Sequence, residues 1–257
     1  MDLGLKGKVA AITGGTEGIG RATALAFAAE GARVAICARR ELPLAQTAAE
    51  IEKRGAEAFA LAADVAKAPD AERFVRSVIE RFGRLDILVN NAGTSLAKPF
   101  EAVDDASWQQ DLDLKLFGAI RCARPAIAQM KAQGGGRIIN ITTVGGKQPA
   151  AGSLPTTVTR AAGLALTKAL SKELAPYGIL VNTVCIGKIK SGQHERRYQR
   201  EGIPPEQYYA RVSKDIPLGR VGEAHEVANV IVFLASSAAS YVTGTSVNLD
   251  GGISGVL

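Results

Sequence analysis

The sequence predicts an α/β protein built on a single doubly wound parallel sheet of about seven strands, with helices on both faces. Three observations predict it. β-branched apolar runs alternate with Ala-rich amphipathic stretches almost from end to end. The short runs are apolar throughout, as expected of parallel strands covered on both faces. The first run leads straight into a glycine-rich turn and then an amphipathic stretch. Such alternation builds one sheet rather than two domains, so residues 1–257 read as one domain.

In order, the first strand spans residues 8–13 and the first helix 19–30, closed by Gly31. The second pair is strand 33–38 and helix 42–54, closed by Gly55; the third is strand 57–62 and helix 68–82, closed by Gly83. Glycine at these positions suits the left-handed cap that ends many helices. Strand 87–90 precedes a long helix over 107–133, and strand 137–141 precedes a helix over 155–174 that ends ahead of Gly178. Strand 180–184, helix 223–235 and strand 246–249 complete the sheet. Residues 191–216 break the pattern: they are polar, carry Pro204-Pro205 and hold Tyr198, Tyr208 and Tyr209, three of the five tyrosines. A long connection at this place in a compact domain reads as a lid over a site rather than a plain surface excursion.

Composition removes several function classes. Only two histidines are present, His194 and His225, which argues against a multi-His metal site or a Ser-His-Asp triad. Cys37, Cys122 and Cys185 are far apart and form no CxxC, so they read as buried reduced thiols. No apolar stretch approaches the ~18 residues that span a bilayer, and no apolar run precedes the first glycines. A cytoplasmic protein without membrane or metal is expected. The net charge of +6 is spread along the chain, which suits anionic small molecules better than nucleic acid.

The turn after the first strand reads Thr13-Gly14-Gly15-Thr16-Glu17-Gly18-Ile19-Gly20. Phosphate binding needs backbone N–H groups at a helix N-terminus with no Cβ in the way. Gly14 allows the turn, Gly18 close approach of a pyrophosphate and Gly20 the packing of helix on strand. Asp64-Val65 follows the third strand, Asn90-Asn91-Ala92-Gly93 the fourth, and YVTGTSVNLDGG stands at residues 241–252. With these four motifs in order, nearly the whole chain resembles the short-chain dehydrogenase/reductase family. The resemblance implies a Rossmann sheet that binds NAD or NADP. It implies that Asp64 meets the adenine amino group and Val65 lines the adenine pocket. The backbone of Asn91, Ala92 and Gly93 would flank the ribose, Ile189 would touch the nicotinamide carboxamide, and Gly187 would lie in the turn beside it. Ala38 stands where NAD-preferring members have Asp, and Arg39 with Arg40 offers guanidinium groups matched to phosphate. NADP is therefore expected over NAD, although Glu17 points the other way, since NADP-preferring relatives often have a basic residue there.

The family's chemistry uses an Asn, a Ser, a Tyr and a Lys four residues after the Tyr. Flanking segments place Lys115, Thr143, Thr156 and Arg160 at those positions, with the spacing 160 − 156 = 4 retained. Every member differs. Thr143 keeps a hydroxyl able to donate to a substrate oxygen, and Arg160 keeps a positive charge but cannot serve as a titrating relay. Thr156 is far too weak an acid to replace a phenol. Lys115 reads either as a structural lysine that snorkels to solvent from the long helix or, beside Arg160, as an ammonium whose pKa is lowered by like charge so that it donates a proton near neutrality; a lid tyrosine or water is the other proton source. The sequence thus points to an NADP-dependent oxidoreductase acting by hydride transfer on a carbonyl or alcohol, with a non-standard proton donor. The alternative is an inactive cofactor-binding protein, a partner subunit or sensor. A halohydrin dehalogenase-like reading fits less well, because those relatives keep the tyrosine and rebuild the glycine loop. Arg196, Arg197 and Arg200 in the lid hint at an acidic or CoA-like small-molecule substrate. By resemblance the protein is a homotetramer or dimer, assembled through helices 107–133 and 155–174.

Overall fold

A computed structural model describes residues 2–256. β1 (Val9–Thr13), α1 (Gly18–Ala29), β2 (Arg33–Ala38), α2 (Glu41–Glu52) and β3 (Ala58–Ala62) form the first half of the sheet. α3 (Ala68–Phe82) crosses back to β4 (Ile87–Asn90). A two-residue strand β5 (Ala97–Lys98) precedes α4 (Asp105–Leu112), one π-helical turn (Asp113–Phe117) and α5 (Gly118–Ala132). β6 (Gly136–Thr143), β7 (Leu154–Pro155), α6 (Thr156–Leu174) and β8 (Ile179–Ile186) come next. α7 (Gly192–Glu201), α8 (Pro205–Ser213), α9 (Ala224–Ala235) and β9 (Ser246–Leu249) follow.

The main sheet has seven strands in the order β3-β2-β1-β4-β6-β8-β9, and each neighbouring pair is parallel. β5 and β7 pair with each other, antiparallel, outside it. Alternation along β1 divides the core between the two faces. Ala10 and Ile12 pack with Phe27 of α1 and Val227 and Ile231 of α9. Val9 and Ala11 face the other way, toward Phe74 and Val78 of α3 and Met130 of α5. Each such large side chain contributes roughly 1.5–3 kcal/mol on burial.

β1 lies between β2 and β4, so the strand order reverses there and the connections leave a crevice beyond the carboxyl ends. Into that crevice the sheet delivers Gly14 after β1, Asn90–Gly93 at and after β4, Thr143 at the end of β6 and Gly187 after β8.

Three elements depart from expectation. The single helix over 107–133 is broken by the π turn, whose Gly118 N–H bonds back to Asp113 O. One extra residue per turn is what a π-bulge inserts, often at functional sites. Gly118 is also pressed against the β3–α3 connection, since a Cβ there would lie 3.2 Å from Val65 Cγ2. Second, β6 and β8 each run two residues beyond the expected ends, because Thr142 and Thr143 keep the ladder with Cys185 and Ile186. Third, residues 191–216 are largely helical, as α7 and α8. The three cysteines are free and buried. Among the described residues no helix is long and apolar enough to cross a membrane.

Candidate active site

The glycine turn is held open from behind. Asn91 Nδ2 donates to Thr13 O at 2.9 Å and to Gly14 O at 3.1 Å. The buried Thr13 hydroxyl accepts from the backbone N–H groups of Asn91 and Ala92, both at 3.0 Å. β1 and β4 are thus clamped at their carboxyl ends. Gly20 sits where α1 crosses this clamp: a Cβ there would lie 2.1 Å from Gly14 O and 2.5 Å from Asn91 Nδ2. Only glycine lets α1 approach so closely, and the first turn of α1 carries neither an acidic residue nor a side-chain cap. Its N–H groups are left for an anion. The cradle formed by Gly14, Thr16, Gly18 and Ile19 therefore fits a pyrophosphate.

The other residues expected to meet the cofactor have the following settings. Asp64 Oδ1 accepts from Ala66 N at 3.1 Å, and Val65 is buried. Gly187 N donates to Leu249 O at 2.9 Å, which fixes the turn after β8. Ile189 turns its side chain into the core, so only its backbone can face a nicotinamide. Arg39 is exposed beside the loop. Glu17 lies between two cations, 3.8 Å from Arg40 and 3.5 Å from Arg196 of α7. Its charge is countered on both sides.

Lys115, Thr156 and Arg160 come together, as their spacing predicts. Lys115 Nζ donates to Thr156 Oγ1 at 2.7 Å and forms an ion pair with Asp111 on α4. The Thr156 hydroxyl donates in turn to Leu96 O at 2.7 Å and accepts from Leu96 N at 3.1 Å. It ties α6 to the segment after β4 and has no free proton to offer. Arg160 Nη1 donates to Ile141 O at 2.6 Å. Its guanidinium lies over Gly93, where a Cβ would come within 2.7 Å of Nη2. The lack of a side chain at Gly93 therefore makes room for Arg160. Arg160 Nε and Asn90 Oδ1 are buried without a hydrogen-bond partner among the described residues, and with Lys115 both residues line a small internal cavity. Thr143 ends β6 at the crevice, and no hydrogen bond among the described residues takes up its hydroxyl.

Burial pushes the Lys115 ammonium down, Arg160 pushes it further, and Asp111 partly restores it, to about 8. Like charge, the expected cause, comes second to desolvation. Burial likewise lowers Arg160 to about 10, opposed by Asp111, so the guanidinium stays charged at neutral pH. Asp111 was missed by sequence reasoning. An acidic residue in an amphipathic helix reads as surface, and only its i,i+4 relation to Lys115 hinted otherwise. The Thr13 hydroxyl was missed for the same reason: its partners come from another strand.

The first turn of α7 touches both sides of the crevice. Gln193 Oε1 accepts from Ser95 N at 3.1 Å, and Arg196 reaches Glu17. Tyr198, Tyr208 and Tyr209 form an edge-to-face cluster between α7 and α8. His194 Nδ1 lies 2.8 Å from the buried Tyr208 hydroxyl, and desolvation, with Arg197 and Lys188, lowers this histidine to about 4. The phenol of Tyr208 is thereby occupied within the helix pair. Among the described residues no cluster of His, Cys, Asp or Glu could hold a metal.

Comparison with known proteins agrees with this geometry. Residues 14–254 match the family model described as enoyl-(acyl carrier protein) reductase. A 3-oxoacyl-[acyl-carrier-protein] reductase from Synechocystis is 38% identical over 251 residues, covering 97% of this chain and 98% of its own. L-sorbose reductase from Gluconobacter frateurii, solved with NADPH and L-sorbose, superposes with a TM-score of 0.95 at 35% identity over 100% of both chains. An NADPH-bound short-chain oxidoreductase from Pseudomonas aeruginosa, described as containing an atypical catalytic center, superposes with a TM-score of 0.92 at 34% identity, covering 97% of this chain and 98% of its own.

The triple role of the Thr156 hydroxyl has a measurable consequence. Thr156→Val leaves Leu96 N–H and one Lys115 proton unpaired, at about 1–3 kcal/mol for each buried group. Thr156→Ser, which keeps the hydroxyl, should lose far less. Urea unfolding of the two variants checks this; equal stabilities would show that the network does not hold the segment.

Proposed function

The chain belongs to the short-chain dehydrogenase/reductase family, and on that basis we propose that it is an NADP-dependent oxidoreductase of carbonyl or alcohol substrates whose proton donor is Lys115. The observation that carries this reading is a buried ammonium, lowered to about 8 and 2.7 Å from the hydroxyl that stands at the family's tyrosine position. A group with that pKa is mostly protonated at neutral pH, yet gives up its proton readily to a developing alkoxide. NADPH, when bound, supplies the hydride. The chain's own residues do the rest. Thr143 donates its hydroxyl to the substrate carbonyl and orients it. Lys115 delivers a proton to that oxygen as the C–H bond forms, and solvent later returns one. Arg160 keeps a positive charge over Gly93, where the ribose is expected, and Thr156 aims the ammonium.

Ketone substrates suit this chemistry, and both named reductases that resemble the chain act on compounds of that kind. Arg39 and Arg40 favour the 2′-phosphate of NADP. Glu17, the contrary sign in the sequence, is flanked by Arg40 and Arg196 and so does not present an uncompensated charge to that phosphate. We read residues 191–216 as the cover of the substrate space. The buried free thiols suit a reducing compartment such as the cytoplasm. An inactive cofactor-binding role finds no support among the chain's relatives, which are named as reductases.

Three outcomes are expected. NADPH should bind at least about tenfold more tightly than NADH by fluorescence titration, and Arg39→Asp should reverse the order through loss of a phosphate contact; equal affinities in the wild type would remove the phosphate argument. Against a panel of ketones, quinones and acyl thioesters, Lys115→Met should cost ~10²–10⁴-fold in turnover with NADPH affinity unchanged. Wild-type reduction should fall as pH rises through about 8, because the ammonium is the acid form. Full turnover in Lys115→Met would refute the lysine mechanism. Light scattering should show a dimer or tetramer, and a monomer at micromolar concentration would contradict assembly through α5 and α6.

A further inference from the structure

We propose that Asp111 is a positioning residue for Lys115: its carboxylate orients the ammonium toward Thr156 and keeps it charged against Arg160. The proposal rests on Lys115 being the proton donor. Asp111 occupies the last turn of α4 and is 4% exposed. Both of its oxygens are engaged. Oδ1 takes the Lys115 ammonium, and Oδ2 accepts from Thr159 Oγ1 at 2.7 Å. Thr159 thereby pins the carboxylate from α6, so it cannot rotate away from the lysine. The side chains of the ion pair are only 1% and 3% exposed.

The charges packed around Lys115 explain why this carboxylate matters. Two cations stand together, Lys115 from the π turn and Arg160 from α6, and Asp111 from α4 is the anion that acts on both. The cavity beside them is otherwise lined by uncharged groups, among them Asn90, Asn140 and Thr142. A second buried cation without a counter-charge sheds its proton, since neutralisation costs less than desolvated repulsion. Arginine holds its proton far more strongly than lysine, so lysine is the one to lose it. Asp111 reverses that balance: it pulls the Lys115 pKa back up against burial and Arg160. An ordinary i,i+4 pair on a helix surface adds little to a protein. This one decides whether an acid is present in the site at neutral pH.

Asp111→Asn is nearly isosteric and can still accept from Lys115 and pair with Thr159, which makes it the variant of choice. Two readouts are compared in the full chain: the titration of Lys115 followed by NMR of ε-¹³C-lysine, assigned through Lys115→Met, and the pH profile of kcat for ketone reduction with NADPH. The expected result is a downward shift of more than about one pH unit in both midpoints. For a shift of about one pH unit kcat drops about twofold at pH 7 and about tenfold at pH 9, with NADPH affinity unchanged, and acidification below the new midpoint restores it. A packing defect alone would not be rescued by acid. An unmoved Lys115 titration, or a loss of kcat that acid does not restore, overturns the proposal. If Lys115→Met retains full turnover, the parent reading fails instead, and the NMR titration separates the two cases. Should Asp111→Asn not fold, the double variant Asp111→Asn/Lys115→Met should recover folding, because the buried amine that has lost its ion-pair partner is gone; failure to recover it also overturns the proposal.

Discussion

The clamp between β1 and β4 is the interaction on which the rest of the site depends. Parallel strands splay connections to opposite faces where their order reverses, and nothing in the sheet itself closes the gap. Here the Thr13 hydroxyl and the Asn91 side chain close it with four hydrogen bonds across the strand ends. Gly14 is held in its turn by this clamp, and α1 can approach only because Gly20 has no side chain to strike it. Asn91 continues into Ala92 and Gly93, and Gly93 gives Arg160 its place. The glycine cradle and the cleft that holds Lys115 and Arg160 are therefore one mechanical unit.

A second constraint is electrostatic. Placing Lys115 beside Arg160 puts two cations where desolvation penalises each. Such a pair persists only with a counter-charge or by losing a proton. Asp111 supplies the first and leaves the second within reach, which is the condition an acid needs to work near neutrality. The π turn joins this constraint to the fold. It lies between Asp111 and Gly118, carries Lys115, and sets the following helix tightly against Val65.

The strands were legible because burial on both faces forces apolar β-branched runs, a local property of the chain. That Lys115, Thr156 and Arg160 stand together was legible because the flanking segments fix their places in the sheet-and-helix order. The π turn was not, since the apolar pattern continues on both sides of it. Asp111 was not, because Asp in an amphipathic helix ordinarily faces water; only Thr159, 48 residues on, shows that this one faces inward. The saturation of Thr156 was hidden as well, for its partner Leu96 belongs to an irregular segment. For Asp111 and Thr156, what escaped the sequence was a bond to a residue far along the chain.

The closeness of Lys115 to Thr156 also bears on how such a site can change over time. The Thr156 hydroxyl is enclosed by Lys115 Nζ on one side and the Leu96 backbone on the other. A tyrosine introduced at 156 would carry a six-membered ring from the same Cβ into space now held by the ammonium and its partners. Thr156 cannot become Tyr without displacing Lys115, whereas a shorter residue at 115 would displace nothing, and neighbours so coupled do not act additively. The order of substitution therefore matters: a phenol at 156 is accommodated only once the side chain at 115 has been shortened.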